Sequence, residues 1–307
     1  MRLARVLGGI GRTLITAGVL ILLFVVYQLW GTGIREAQAQ SALEDDFADQ
    51  LTEAGIAPDA TATTTINDGA APTTTLPPAP PDANDGSAVA HLVIPRIGVD
   101  KIVVQGVSVE DLKRGPGHYP DSPLPGQPGN AAIAGHRTTY GAPFNRIDEL
   151  QPGDEILVTT LQGSFHYTVR EQQIVRPDQI EVLDDFGDNR LTLTACHPKY
   201  SARQRIVVIA MLDAAPAPAP PSQGGSDDNG SSGPGDGVGL NAGLSGERAG
   251  AWPAVLLALS CACIWLAAWI GAKIIKPWIA YGLGAPLFFV VLFFFYESFS
   301  RLLPANF

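Results

Sequence analysis

Cysteine is scarce in this sequence, with three residues in a chain of 307. Two of them, Cys261 and Cys263, lie inside a long apolar run, where a thiol behaves as a small apolar side chain. A secreted domain held by disulfides would carry an even set of cysteines at spaced positions, so a disulfide framework is excluded. Cys196 is then the single thiol outside the apolar runs, either a buried bystander or a reactive group.

Positive charge is also limited. The sequence contains twenty Lys and Arg and thirty Asp and Glu, which gives a formal net charge of −10. It has no basic stripe with interleaved aromatic residues. Such an acidic balance repels phosphates, so nucleic acid is not expected as a partner.

Two stretches lack the apolar residues that a packed core needs. Residues 36–87 are rich in Ala, Thr, Pro and Asp, and residues 214–250 begin Pro-rich and continue Gly- and Ser-rich. Both compositions are typical of disordered tethers. We therefore predict five segments: an N-terminal tip and anchor (1–35), a tether (36–87), a folded domain (88–213), a linker (214–250) and a C-terminal helix hairpin (251–307).

Three uncharged apolar runs are each about long enough to cross a lipid bilayer as a helix. The first, Thr13–Trp30, follows three arginines and should place the N-terminus in the cytoplasm. A cleaved signal peptide is the alternative, because Ala37–Ala39 resembles a cleavage site. The other two, Trp252–Ala272 and Trp278–Tyr296, flank a turn that contains two lysines. The prediction is a multi-pass protein of the cell membrane with the folded domain outside the cytoplasm.

The domain at 88–213 consists mostly of segments that alternate with a period of two, which indicates β-strands. The candidate strands are HLVIPRIGV, KIVVQGV, AAIAGH, DEILVTTL, SFHYTVREQQIV, LTLTACH and RIVVIAML, with a hairpin turn at 161–164 and short helices near Asp111 and in PFNRIDEL. We predict an all-β fold for this domain, a closed barrel, with transmembrane helices outside it.

Cys196 ends the strand LTLTACH. Alternation places Leu191, Leu193 and Ala195 on one face and Cys196 on the other, more polar face. Pro198 ends the strand soon afterwards. A free thiol needs a neighbouring imidazole or cation to become a nucleophile at neutral pH.

His136 and two arginines are the candidate partners of this thiol. His136 ends the strand AAIAGH in a polar loop, and Arg203 and Arg205 lie before and at the start of the strand after Cys196. A guanidinium can stabilise the oxyanion of a tetrahedral intermediate. Spacing alone does not separate Arg203 from Arg205, because alternation places both on one face.

LTLTACHPKYSARQRIVVIA and NAAIAGHRTTYGAPF together resemble the sortases, which have a TLxTC strand, an arginine opening the next strand and a histidine about sixty residues upstream. With GPGHYP, the pattern is most similar to class E sortases of high-GC Gram-positive bacteria. The resemblance covers about residues 88–213 and implies a sortase-like barrel.

The resemblance implies that Cys196 is the nucleophile, His136 the proton shuttle and Arg205 the oxyanion stabiliser. It also implies that Tyr119, Thr194 and Ala195 bind substrate. Ala195 departs from the family, which usually has Thr directly before the cysteine.

The implied reaction cleaves a C-terminal sorting motif, LAxTG or LPxTG, between Thr and Gly through a thioester. The carboxyl end then passes to an amine of a cell-wall precursor or pilin. The implied partners are secreted proteins that carry this signal, the acceptor amine and the lipid bilayer. No cofactor or metal is expected, since Cys196, His136 and His197 do not form a zinc pattern. A cysteine hydrolase and a non-catalytic binding module remain as alternatives.

Overall fold

The computed structural model describes residues 2–55, 83–219, 240, 251–274 and 276–300. They form two compact units. One contains helices from near both ends of the chain, and the other contains two helices and a β-barrel. The described helices, in chain order, are α1 (Arg2–Val26), α2 (Thr32–Glu53), α3 (Val109–Leu112), α4 (Trp252–Ile274) and α5 (Pro277–Ser300).

Helices α4 and α5 are long and apolar enough to cross a membrane. They correspond to the predicted hairpin. In α1 the apolar part is shorter, Leu14–Val26, and a π-helical turn follows at Tyr27–Gly31. A full crossing by the N-terminal helix therefore stays a prediction.

Eight strands form a closed barrel in the order β1-β2-β3-β4-β7-β8-β6-β5. Their bounds are β1 (Ala88–Ile94), β2 (Val99–Gln105), β3 (Gly117–His118), β4 (Asn130–Ala134), β5 (Glu155–Thr160), β6 (Gly163–Val175), β7 (Arg190–His197) and β8 (Gln204–Leu212). Strand β7 pairs parallel to β4 and antiparallel to β8. The closed barrel predicted for this domain is thereby confirmed.

Two details of the barrel differ from the pattern in the sequence. HLVIPRIGV was expected to be one strand, but a 3-10 turn at Pro95–Ile97 separates β1 from β2, because proline has no N–H for the ladder. The two-residue strand β3 was not predicted, since two residues carry no detectable alternation. The hairpin joining β5 to β6 and the short helix α3 match the prediction.

A helix replaces the first part of the predicted tether. In α2, Leu43, Phe47 and Leu51 lie four residues apart, so one helical face buries all three. They pack against Ile102 and Val104 of β2, among others. The tether prediction was wrong for residues 36–53. The all-β description is likewise wrong for the chain as a whole, which is mixed; the tether residues 56–82 lie outside the described part.

The side chain of Gln40 joins α2 to the backbone of β2. Its Nε2 donates to the carbonyls of Ile102 (3.0 Å) and Arg114 (2.8 Å), and its Oε1 accepts from the Ile102 N–H at 2.8 Å. Glu36, one turn earlier, pairs with Lys101 at 2.7 Å. Residues 36–53 therefore belong to the barrel unit.

Candidate active site

Cys196 is the penultimate residue of β7, and its cross-strand partner in β8 is Arg205. Leu191, Leu193 and Ala195 face the barrel interior as predicted. The opposite face was expected to be polar, but Cys196 is only 3% exposed there and packs in a second apolar cluster with Tyr119, Val207 and other residues. A second layer of side chains covers this face of the sheet.

Arg205 is fully buried although it carries a permanent charge. Its Nε donates to the carbonyl of Leu240, and its Nη1 donates to the carbonyls of Ala202 and Gln204, each at 3.0 Å. These three acceptors are neutral, so they orient the guanidinium without cancelling its charge. Arg203 precedes β8 and is exposed. The structure thus separates the two arginines that spacing could not.

His136 follows β4 at the level of Cys196. The parallel ladder pairs Ala134 with Thr194 and continues through the Gly135 N–H, which donates to the Thr194 carbonyl at 3.0 Å. A Cβ on Gly135 would lie 2.6 Å from the ring of Phe144, so glycine permits this close packing. The Phe144 N–H donates to the His136 carbonyl.

The imidazole of His136 is buried, whereas the sequence predicted a polar loop. Its Nε2 has no hydrogen-bond partner among the described residues. Burial, assisted by the charge of Lys113, lowers the pKa of His136 to about 4. Burial also raises the pKa of the Cys196 thiol, which the charges of Arg205 and Arg137 partly oppose. The two directions favour the neutral form of the thiol and the neutral form of the imidazole.

The three residues assigned to substrate binding lie on two different faces of the sheet. Tyr119 and Thr194 lie on the Cys196 side of the sheet, where the Tyr119 hydroxyl and Thr194 Oγ1 are 3.2 Å apart. Burial raises the pKa of Tyr119 to about 12, so the hydroxyl keeps its proton as a hydrogen-bond donor. Ala195 is fully buried in the barrel interior. Because alternation directs it away from Cys196, a groove contact by its side chain is not supported.

Two residues near the thiol were not predicted. Arg137 directly follows His136 and contacts the Cys196 carbonyl. Leu240, from the predicted linker, is fully buried in the same cluster as Cys196. Arg137 could have been suspected as a charged residue adjoining a candidate site residue. Leu240 is an isolated leucine in a Gly-rich stretch, which is a weak indication.

Comparison with known proteins places this site in a family. The model of the sortase domain matches residues 92–213. Sortase SrtE2 of Streptomyces coelicolor is 30% identical over 230 residues, which cover 67% of this chain and 81% of that protein. Sortase SrtE1 of the same organism is 34% identical over 219 residues, covering 65% and 55%. The solved sortase E from Streptomyces avermitilis is 36% identical, with a TM-score of 0.39, covering 43% of this chain and 91% of that one.

The chain belongs to the sortase family. SrtE1 and SrtE2 are class E sortases, in agreement with the resemblance in the sequence. The chain covers little more than half the length of SrtE1 and of sortase D from Bacillus subtilis, at 55% and 56%.

Proposed function

We propose that the protein is a membrane-anchored cysteine transpeptidase with Cys196 as nucleophile, His136 as acid and base, and Arg205 as oxyanion stabiliser. The observation that supports it best is the ladder register: Cys196 is paired with Arg205 across β7 and β8, and the β4 ladder brings His136 to the same level. His136 comes from a segment far from the other two in sequence, whereas Cys196 and Arg205 lie on consecutive strands.

In the first half-reaction, His136 accepts the proton of Cys196, and the thiolate attacks the carbonyl carbon of the scissile peptide bond. The resulting oxyanion lies beside the Arg205 guanidinium, whose orientation the carbonyls of Ala202 and Gln204 already fix, so little reorganisation is needed. The protonated imidazole then gives its proton to the leaving amine. The products are a thioester on Cys196 and the released C-terminal peptide.

In the second half-reaction, an acceptor amine attacks the thioester. Neutral His136 takes a proton from this amine, and the thiol leaves with a proton from the imidazolium. The low pKa of His136 supports this step, because the imidazole is unprotonated at neutral pH and can act as a base. The two half-reactions together break one peptide bond and form one new amide bond.

For substrate we propose a sorting motif of the LAxTG or LPxTG kind, cleaved between Thr and Gly. The acceptor is an amine of a cell-wall precursor or a pilin. Tyr119 and Thr194 are proposed groove residues, because they share the Cys196 side of the sheet. The apolar helices α4 and α5 support anchoring in the membrane, and we propose that the catalytic unit lies outside the cytoplasm.

The test uses the full chain in detergent micelles, incubated with a panel of peptides carrying LAxTG or LPxTG. Mass spectrometry should find the acyl group on Cys196, and an added amine should release it as a new amide. Cys196→Ala should give no adduct. Arg205→Met should slow acylation about 10² to 10³-fold, since it removes the stabiliser of the oxyanion.

The matched control is Arg203→Met, which removes the same charge from an exposed position and should change the rate less than about twofold. Release only to water, whatever amine is added, would favour a cysteine hydrolase. Absence of any adduct across the panel would leave the non-catalytic binding module.

A further inference from the structure

Arg137 is a buried cation that the proposed reaction does not use. Its side chain is 3% exposed, although arginine is among the residues that are least often buried. It directly follows His136 in the sequence and lies next to the 3-10 turn at Ile147–Glu149. A buried charge of this kind is stable only when partners offset the cost of removing it from water.

The guanidinium of Arg137 connects two segments. Its Nη1 lies 3.3 Å from the Cys196 carbonyl oxygen and 3.2 Å from Nδ1 of His197, and its Nη2 pairs with Asp148 at 2.7 Å. The Arg137 carbonyl accepts from Asn145 Nδ2 at 2.8 Å. One side chain thus joins the loop after β4, the turn at 147–149 and the end of β7.

The position of the Cys196 carbonyl explains why a side chain is needed there. The last rung between β4 and β7 is the Gly135 N–H to the Thr194 carbonyl. In a parallel ladder the next rung would join Arg137 to Cys196. Here the strand β4 has already ended, at Ala134, and the guanidinium reaches this carbonyl instead. A buried carbonyl is stabilised by each donor that reaches it, and Arg137 supplies one here.

We infer that Arg137 is a positioning residue for Cys196: it holds the carbonyl of the nucleophile and the ring of His197, and is itself held by Asp148. The inference rests on the proposed function. Asp148 offsets part of the cost of burying the cation and, being 44% exposed, can be replaced with little disturbance of the core. Burial alone would raise the pKa of Asp148, but the hydrogen bond and charge of Arg137 lower it.

The experiment measures acylation of Cys196 in the full chain with a peptide that acylates the unmodified enzyme. Arg137→Met should lower kcat about 10- to 100-fold, because a charge-assisted hydrogen bond to the nucleophile is lost. KM should change less than about threefold, since no substrate contact is removed. Asp148→Asn should lower kcat about three- to tenfold, again with little change in KM.

Arg146→Met is the matched control. It removes an arginine from the same segment, but Arg146 is half-exposed and pairs with Glu149, so kcat should stay within about twofold. Added guanidinium ion should restore part of kcat in Arg137→Ala, which a merely misfolded variant would not show. Unchanged kcat in both Arg137→Met and Asp148→Asn, or an effect of Arg137→Met on KM alone, overturns the inference.

Failure of the inference can be told from failure of the proposed function. If the unmodified enzyme forms a thioester but the Arg137 and Asp148 variants match it, only the positioning role is wrong. If the unmodified enzyme forms no thioester with any peptide, the proposed function itself fails, and the inference with it. If Arg137→Met does not fold, Asp148→Asn decides the question alone.

Discussion

At neutral pH the Cys196 thiol should be almost entirely protonated in the resting enzyme. An ordinary thiol has a pKa near 8.5, and burial raises the pKa of Cys196 further. The thiolate fraction at pH 7 is then below about 3%. His136 does not reverse this, because burial and the charge of Lys113 lower its pKa to about 4 and so disfavour an imidazolium beside the thiolate.

The charge of Arg205 opposes the effect of burial. An opposite charge close to an acid lowers its pKa by about one to three units, so Arg205→Met should raise the pKa of Cys196. Since the thiolate is the species that reacts, the alkylation rate at any pH below the midpoint should fall about tenfold or more. Arg203→Met, at an exposed position, should leave the midpoint unchanged.

The assay is the rate of alkylation of Cys196 by iodoacetamide as a function of pH, followed by mass spectrometry. Cys261 and Cys263 are replaced by Ala, so that Cys196 is the one thiol whose alkylation is measured. Burial lowers the absolute rate at every pH, and the midpoint is therefore the quantity to compare. A midpoint below pH 7, or the same midpoint with and without the Arg205 charge, would refute the reasoning.

Two further predictions concern residues outside the proposed triad. Leu240 is buried beside Cys196 and its carbonyl accepts from Arg205, so a substrate that needs this cleft must displace it. Leu240→Ala should lower KM about three- to thirtyfold, from the loss of about 2 kcal/mol of apolar burial, and an unchanged KM would contradict this. Gln40→Ala should destabilise the barrel unit by about 2 to 3 kcal/mol, because buried groups of Ile102 lose their partner. Pulse proteolysis in urea measures the change, with Gln50→Ala as control, because the Gln50 amide makes only an exposed hydrogen bond to Asp46 of the same helix. Equal stability of the two variants would show that Gln40 is dispensable.

Much of the barrel followed from the sequence because its determinants are local. Alternation in LTLTACH and RIVVIAML identified β7 and β8, and the turn predicted at 161–164 identified the hairpin between β5 and β6. The apolar runs of α4 and α5 were equally direct, since length and composition suffice. Helix α2 was missed because its three apolar residues stabilise it only when the barrel is present to cover them.

For the site, the sequence by itself determined the residue types: one thiol outside the apolar runs, a histidine at a strand end and an arginine opening the next strand. It could not choose Arg205 over Arg203, because alternation places both on one face. The resemblance to sortases favoured Arg205. The tertiary structure supplies the physical difference, by pairing Arg205 with Cys196 and burying it while Arg203 is exposed. It also decided the environment of His136 and the contact of Arg137 with Cys196, because burial and ladder register depend on segments some sixty residues apart.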